Sequence, residues 1–106
     1  MVEFAATGSK IYFNGRIVPE REATVHVLSG AVKYGATGFE GICAYLGDEG
    51  RLTVFRLPEH LLRLQDSMRI MRFEQDWSVS HLTEVVTDVI KANELHEDTH
   101  IRLSAY

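Results

Sequence analysis

Two stretches in the second half of the chain have the apolar spacing of amphipathic helices. Over residues 57–73, apolar side chains recur every three or four positions, and Pro58 suits the first turn of a helix. The first apolar face comprises Leu57, Leu61, Leu64, Met68 and Met71. Leu62, Ile70 and Phe73 form a second face, which predicts that this helix is covered on more than one side.

A second helix is predicted over residues 80–94. Its N-cap is Ser78 or Ser80, because a serine side chain at that position accepts a hydrogen bond from a free N–H of the first turn. Its buried stripe has helical spacing and comprises Leu82, Val85, Val86, Val89 and Ile90.

The first part of the chain has the features of short strands. Residues 11–19 predict a hairpin, because two apolar-rich runs flank Asn14-Gly15, the dipeptide that best tolerates positive φ at both turn positions. Residues 24–28 alternate between apolar and polar side chains and predict a short strand. Residues 29–38 are rich in small side chains and predict one short helix followed by a loop.

Three further strands complete the pattern. Residues 39–45 and 52–56 predict two strands joined by a turn at residues 47–50. Residues 99–106 predict a last strand. On that strand two sets of side chains point in opposite directions, the first being Ile101, Leu103 and Ala105, the second His100, Arg102, Ser104 and Tyr106.

The order of strands, helix, helix, strand is typical of the α+β class, because strands and helices do not alternate regularly. We therefore expect a small antiparallel or mixed sheet with two packed helices. Residues 1–9 are expected to be an N-terminal arm and residues 10–106 a single small domain. The last strand reaches Tyr106 without a closing signal, so we expect a following domain.

Composition excludes several classes of partner. The chain has 106 residues and a net charge of −4, with acidic and basic residues interleaved, so nucleic acid and anionic membranes are not expected partners. Its apolar stretches are too short to span a bilayer, and its start lacks the features of a signal peptide. Cys43 is the only cysteine, which fits a reducing compartment such as the cytoplasm.

Residues 96–100 match H-E-x-x-H, the zinc-protease motif. That chemistry requires both histidines one turn apart on one helix face, with the glutamate beside the metal-bound water. Here His96 and His100 fall where the second helix ends and a strand begins, and no third ligand is evident. The pattern therefore favours a polar connection over a zinc hydrolase using His96, Glu97 and His100, and no metal is expected.

Other polar residues support more than one interpretation. Arg63 lies between the two apolar faces of its helix, where its guanidinium could bind a phosphate or simply extend to solvent. Cys43 lies in an apolar strand and is expected in the core rather than as a nucleophile. His100 and Arg102 share a strand face, where they could bind a carboxylate or form a solvated edge. Periodicity alone favours extension of Arg63 to solvent, so the residues alone offer one candidate anion-binding arginine and predict no reaction.

Four segments occur in the order of a known family: IYFNGRIVP (11–19), ATVHVLSGAVKYGATGFEGICAY (23–45), VFRLPEHLLRLQDSMRIMRF (54–73) and HIRLSAY (100–106). With them the chain resembles the fold type IV, class IV aminotransferases, and specifically the branched-chain amino acid aminotransferases. VHVLS followed by YGxxxFEGI is the specific feature. The D-amino acid aminotransferases and aminodeoxychorismate lyases usually carry D-x-G-F-x-Y-G-D there, with F-E-T.

The resemblance implies an activity and a cofactor. The family uses pyridoxal 5'-phosphate to transfer an amino group between leucine, isoleucine or valine and 2-oxoglutarate. Its Schiff-base lysine stands in a larger C-terminal domain, and Lys10, Lys33 and Lys91 do not match that segment. The chain by itself is therefore expected to be inactive, with no catalytic residue of its own. The alternatives are a non-catalytic binding or dimerisation module, or an enzyme like the two related groups.

The resemblance also assigns roles to residues. Arg63 matches the arginine that binds the cofactor phosphate. The residues implied at the substrate are Tyr34, Phe39, Gly41, His100 and Arg102. Tyr34 matches a tyrosine that reaches the neighbouring subunit's site, since members form at least dimers.

Two positions depart from the family pattern. The family often has tyrosine where this chain has His100, and some members have arginine where it has Cys43. An imidazole still donates a hydrogen bond, but its charge can change near neutral pH. Because residue 43 is a cysteine and not an arginine, a cation that could help to recognise an acidic substrate is missing at that position.

Overall fold

A computed structural model describes residues 8–106 of the chain. The first half contains β1 (Lys10–Phe13), β2 (Arg16–Pro19), a 3-10 turn (Glu20–Glu22), α1 (Gly30–Tyr34) and β3 (Gly38–Leu46). The second half contains β4 (Leu52–Val54), α2 (Leu57–Ile70), α3 (Val79–Ala92) and β5 (Thr99–Ala105). The predicted α+β class is confirmed. Of the predicted arm, residues 1–7 lie outside the described residues.

The predicted hairpin is confirmed in its register as well as its position. β1 pairs antiparallel with β2, and Phe13 pairs with Arg16, which leaves Asn14 and Gly15 as a two-residue turn. Their φ angles are 47° and 96°. Positive φ at both positions matches the twist of paired strands, and asparagine and glycine accept it more readily than other residues.

A second sheet contains the other three strands in the order β4-β3-β5, with both pairings antiparallel. The single sheet expected from the sequence is thus two separate antiparallel sheets. β3 is the central strand, and β5 pairs with it from Gly38–Ala105 to Ala44–Thr99. β3 is therefore held on both sides.

The core lies between the two long helices and one face of the three-stranded sheet. One cluster of buried side chains comprises Leu61, Leu64, Met68, Leu82 and Ala105. A second cluster comprises Ile42, Ala44, Val86 and Ile101. The alternation predicted for the last strand is confirmed, because Ile101 and Ala105 are buried while His100 and Arg102 are exposed.

Helix ends follow from local chemistry. Ser78 is the N-cap of α3, and its Oγ accepts a hydrogen bond from the backbone N of His81 at 3.0 Å. α2 is preceded by Arg56, which has left-handed backbone angles. β4 ends at Val54, two residues before the end of the predicted strand. α1 begins after Ser29, whose Oγ accepts from Val32 N. The short helix predicted within residues 29–38 is confirmed.

Two predictions about the packing are wrong. Residues 24–28 form no strand; their backbone is irregular and turns at Val27 and Leu28, which are exposed. Alternation alone does not make a strand unless a neighbouring strand accepts its backbone hydrogen bonds. Most of the second face of α2 is also not covered, because Leu62 and Ile70 are exposed. Phe73, the third residue of that predicted face, lies beyond the end of α2 and packs partly buried against the core.

Asn93, at the end of α3, fastens the hairpin to the helix. Its Oδ1 accepts a hydrogen bond from Lys10 N at 2.7 Å, and its Nδ2 donates to Lys10 O at 2.9 Å. Replacing Asn93 by alanine is expected to lower the free energy of unfolding by about 0.5–1.5 kcal/mol, the usual net value of such bonds. Hydrogen exchange should then become faster at the amides of β1 and β2.

The control for this variant is Thr87→Ala. The Thr87 hydroxyl donates only within α3, to Thr83 O at 2.9 Å. Its removal should leave exchange in the hairpin unchanged. Equal acceleration in both variants would show that Asn93 does not fasten the hairpin.

None of the helices between residues 8 and 106 is long and apolar enough to cross a membrane.

Candidate functional site

The side chains of β3 separate the predicted site residues into two groups. Gly38, Glu40, Ile42 and Ala44 are buried on the face that packs against α2, and among them Glu40 is the one charged residue. The residues between them belong to the opposite face, called here the open face, which comprises Phe39, Gly41, Cys43 and Tyr45 of β3 with His100, Arg102 and Ser104 of β5.

On the helix face, Glu40 receives Arg63 from α2. Glu40 is only 4% exposed. Arg63 Nε lies 3.0 and 2.9 Å from the two carboxylate oxygens, and Arg63 Nη2 donates to Oε1 at 2.7 Å. The carboxylate therefore binds one side of the guanidinium through paired charged hydrogen bonds, which are stronger than neutral ones.

His60, one helical turn before Arg63, completes the surroundings of the carboxylate. Its Nδ1 lies 2.7 Å from Glu40 Oε1. Hydrogen bonding from Arg63 lowers the pKa of Glu40 below its usual 4.5, against the opposing effect of burial and with a further contribution from His60. The carboxylate is thus ionised near neutrality, so Nδ1 must be the donor. The same pairing raises the pKa of Arg63.

The rest of the Arg63 guanidinium is open to solvent. A guanidinium has five N–H donors, and Glu40 takes the Nε–H and one N–H of Nη2, which leaves both hydrogens of Nη1 and one of Nη2. The Arg63 side chain is 69% exposed and lines a shallow cleft with Arg56, Glu59 and His60. Its free edge has the geometry that binds two oxygens of one phosphate, so this cleft fits a phosphate group.

On the open face, Arg102 and Phe39 are in contact. The Arg102 guanidinium carbon lies 4.4 Å from the centre of the Phe39 ring. A cation placed over an aromatic face is stabilised by the electrons of the ring. Arg102 and Phe39, both implied at the substrate by the family resemblance, therefore lie in contact.

His100 and Gly41 are also neighbours on this face. A Cβ added at Gly41 would lie 2.9 Å from His100 Nε2, closer than real Cβ atoms come. The imidazole can lie across β3 only because residue 41 has no side chain. The structure thus brings together four of the five residues predicted at the substrate, Phe39, Gly41, His100 and Arg102.

Tyr34, the fifth, lies on α1 with its ring exposed. The Lys33 ammonium lies 5.0 Å from the ring centre, a contact within the same helix. Cys43 is half-buried on the open face. The prediction that Cys43 lies in the core is therefore wrong. An apolar strand has two faces, and Cys43 lies on the face that points away from the helices.

The H-E-x-x-H segment lacks the helical spacing of a zinc site. α3 ends at Ala92, His96 and Glu97 lie in the following loop, and His100 is on β5. Asp98 Oδ1 accepts a hydrogen bond from Leu46 N at 2.8 Å, which fastens this loop to the end of β3. Between residues 8 and 106, no group of three or more His, Cys, Asp or Glu side chains is placed to hold a metal ion.

The sequence pattern did not predict Glu40 as a site residue, nor the hydrogen bond between His60 and the Glu40 carboxylate. A signal was available, since Glu40 alternates in phase with Gly38, Ile42 and Ala44. A carboxylate on an otherwise apolar strand face needs a buried cationic or hydrogen-bonding partner. The sequence pattern also did not predict Arg56, which has a left-handed backbone and lines the cleft.

Solved structures define the class to which this fold belongs. The branched-chain aminotransferase from Thermoproteus uzoniensis with norvaline matches with a TM-score of 0.87 and 41% identity, over 92% of this chain and 33% of that one. The branched-chain amino acid aminotransferase from Thermobaculum terrenum in its PLP form matches with a TM-score of 0.83 and 33% identity, over 94% and 33% of the two chains. The fold is that of an aminotransferase N-terminal domain.

Comparison with known protein sequences identifies the family within this class. The branched-chain-amino-acid aminotransferase of Salmonella typhimurium is 46% identical over 85 residues, which are 80% of this chain and 27% of that protein. No protein-family model matches the chain. The chain is thus a relative of the branched-chain-amino-acid aminotransferases and corresponds to their N-terminal part, spanning 27% of the length of this relative.

Proposed function

We propose that this chain is the N-terminal small domain of a pyridoxal-phosphate aminotransferase that exchanges amino groups between branched-chain amino acids and 2-oxoglutarate. In this proposal residues 1–9 are an arm, residues 10–106 the small domain, and a C-terminal cofactor domain completes the enzyme. The observation that carries it is Arg63, which is held by Glu40 with its outer edge free in a cleft beside Arg56.

Each group of residues has a separate part in the reaction. Bound pyridoxal phosphate supplies an electron-accepting ring that stabilises negative charge on the substrate. Arg63 binds the phosphate through its free N–H groups and so fixes the position of the cofactor. Phe39 packs against the apolar side chain of the substrate. Arg102, which lies over the Phe39 ring at 4.4 Å, binds a substrate carboxylate with His100 as neighbour.

The two departures from the family pattern affect substrate preference. His100 lies over Gly41, where its imidazole donates a hydrogen bond in place of a tyrosine hydroxyl. Cys43 shares the open face and supplies no cation there. We therefore expect preference for apolar amino acids over glutamate to be stronger than in relatives with arginine at this position.

The proposal also covers the cofactor-binding lysine, the oligomeric state and the location of the enzyme. Lys10, Lys33 and Lys91 all lie outside both groups of site residues. We expect the lysine that binds the cofactor in the C-terminal domain, and the chain alone to be inactive. We expect a homodimer in which Tyr34, exposed in this chain, contributes to the partner's site. The enzyme acts in the cytoplasm.

Arg63→Met tests the proposal in the full-length protein. Loss of a bidentate charged contact to the phosphate should weaken pyridoxal phosphate binding at least about tenfold, which corresponds to about 1.4 kcal/mol of binding free energy. Absorbance titration of the apo-protein measures the affinity directly.

Arg69→Met is the matched control for this test. Arg69 lies on the same helix, is similarly exposed and pairs with Asp66 at 2.6 Å instead of with Glu40. Its replacement should leave cofactor affinity unchanged. Equal affinity in Arg63→Met and the wild type would refute the proposed role of the cleft.

A further inference from the structure

We infer that Glu40 is a positioning residue: it fixes the orientation of Arg63 so that the free edge of the guanidinium points at the cofactor phosphate. The inference rests on the proposed function of Arg63. It adds a role for a residue that does not itself touch cofactor or substrate.

The contact geometry shows that Glu40 and a phosphate can bind Arg63 together. Glu40 occupies the side of the guanidinium formed by Nε and Nη2, at 2.7 to 3.0 Å. The end formed by Nη1 and the second hydrogen of Nη2 remains free. Because the guanidinium is planar, fixing one edge fixes the direction of the other. Glu40 therefore orients Arg63 without competing for the donors that a phosphate needs.

Glu40 is held through both its backbone and its side chain, which is what a positioning residue requires. It is 4% exposed, its carboxylate is also bound by His60 Nδ1 at 2.7 Å, and its backbone pairs with Leu103 in the middle of the sheet. Arg63, by contrast, is 69% exposed on a long side chain. Without Glu40, such a side chain would lose conformational freedom only when the phosphate binds, and binding would be weaker for that reason.

The position of Glu40 also connects the two groups of site residues. It lies on β3 between Phe39 and Gly41, whose positions belong to the open face. The phosphate site, built on Glu40 and Arg63, and the substrate-binding side therefore depend on the same three residues of β3. A shift of the backbone at one site would be transmitted to the other site through β3.

Electrostatics alone predicts the opposite effect, which makes the inference testable. Glu40 is an anion close to a proposed anion site, so its charge opposes phosphate binding. If charge dominates, removing it should strengthen binding. If orientation dominates, removing it should weaken binding.

The experiment compares pyridoxal phosphate with pyridoxal, which lacks the phosphate, in the full-length protein. For Glu40→Gln we expect about tenfold weaker binding of pyridoxal phosphate, with pyridoxal affinity unchanged within about twofold. A general structural defect would weaken the binding of both ligands. Binding of pyridoxal phosphate that is unchanged or tighter in Glu40→Gln would overturn the inference, as would equal loss for both ligands.

Two further measurements keep the test decisive if Glu40→Gln does not fold. Glu40→Asp keeps the charge but shortens the side chain by one methylene, so it should lose the preference for the phosphorylated ligand; full retention would contradict positioning. In the wild type without cofactor, the Arg63 Nε–H should have an NMR order parameter of about 0.85, as in rigid backbone, and a value below about 0.6 would refute a fixed guanidinium.

The Arg63→Met variant separates this inference from the function on which it rests. If Arg63→Met binds pyridoxal phosphate normally, the proposed function fails. If Arg63→Met is impaired and Glu40→Gln is not, only the positioning role of Glu40 fails.

Discussion

Replacing Leu61 by alanine is expected to lower the free energy of unfolding by about 2–5 kcal/mol, the range for truncating a fully buried leucine. Leu61 is 0% exposed and belongs to the cluster with Leu64, Met68, Leu82 and Ala105. The variant loses the transfer free energy of the side chain and leaves a cavity. The surrounding helices and sheet can close that cavity only in part, because protein cores are densely packed.

Leu62 provides a control of the same residue type on the same helix. It is 54% exposed, so Leu62→Ala removes little buried surface and is expected to change the free energy of unfolding by no more than about 0.5 kcal/mol. Urea unfolding of both variants, followed by circular dichroism, gives the comparison. A loss of similar size in the two variants would show that the second face of α2 is as well packed as the first.

The contrast between Leu61 and Leu62 also shows what periodicity can predict. The spacing of apolar residues located both long helices, and it selected Leu61, Leu64 and Met68 correctly as buried. It also assigned Leu62 and Ile70 to a covered face, and these are exposed. Periodicity identifies a face that can be buried, but the number of elements available to cover it is a property of the whole fold.

The strands show the same distinction. The hairpin at residues 10–19 was predictable because its turn is encoded locally, by two residues that accept positive φ. Residues 24–28 carry an equally clear alternation and form no strand. A strand depends on a partner edge elsewhere in the chain, and a local pattern does not contain that information.

For the site, the residues alone offered Arg63 as a candidate anion-binding arginine and Arg102 as a candidate carboxylate ligand. The family resemblance assigned Arg63 to the cofactor phosphate, and Phe39, Gly41 and Arg102 to the substrate. Neither source paired Arg63 with Glu40, because the two residues are 23 positions apart and meet only when α2 packs on β3. The division of the site into a helix face and an open face likewise required the sheet register.

The pairing of Glu40 with Arg63 predicts how stability depends on pH. Arg63 lowers the pKa of Glu40 below 4.5 in the folded state. A carboxyl whose folded pKa is lowered contributes stability above its unfolded pKa, and this contribution is lost as pH falls through the folded pKa. The Glu40 contribution should therefore be complete near neutrality and disappear in acid below 4.5.

Arg63→Met should accordingly destabilise the protein near neutral pH and much less in acid. Without Arg63, the Glu40 carboxylate is buried with His60 as its remaining hydrogen-bond partner. A buried charged group that loses its main partner is destabilised by about 1–3 kcal/mol, and solvent screening at this surface favours the lower end. Protonation of Glu40 removes the unpaired charge, so the difference from the wild type should shrink as pH falls.

Urea unfolding of wild type, Arg63→Met and Arg69→Met at about pH 7 and at several values from about pH 5 down to about pH 2 measures this dependence. Arg69 pairs with Asp66, which is exposed, so its replacement should have little effect at any of these pH values. A deficit in Arg63→Met that stays constant with pH would mean that Arg63 stabilises the fold through its alkyl chain. A deficit that disappears in acid would identify the Glu40 carboxylate as the group that Arg63 stabilises, the same contact that is proposed to orient the guanidinium toward the cofactor.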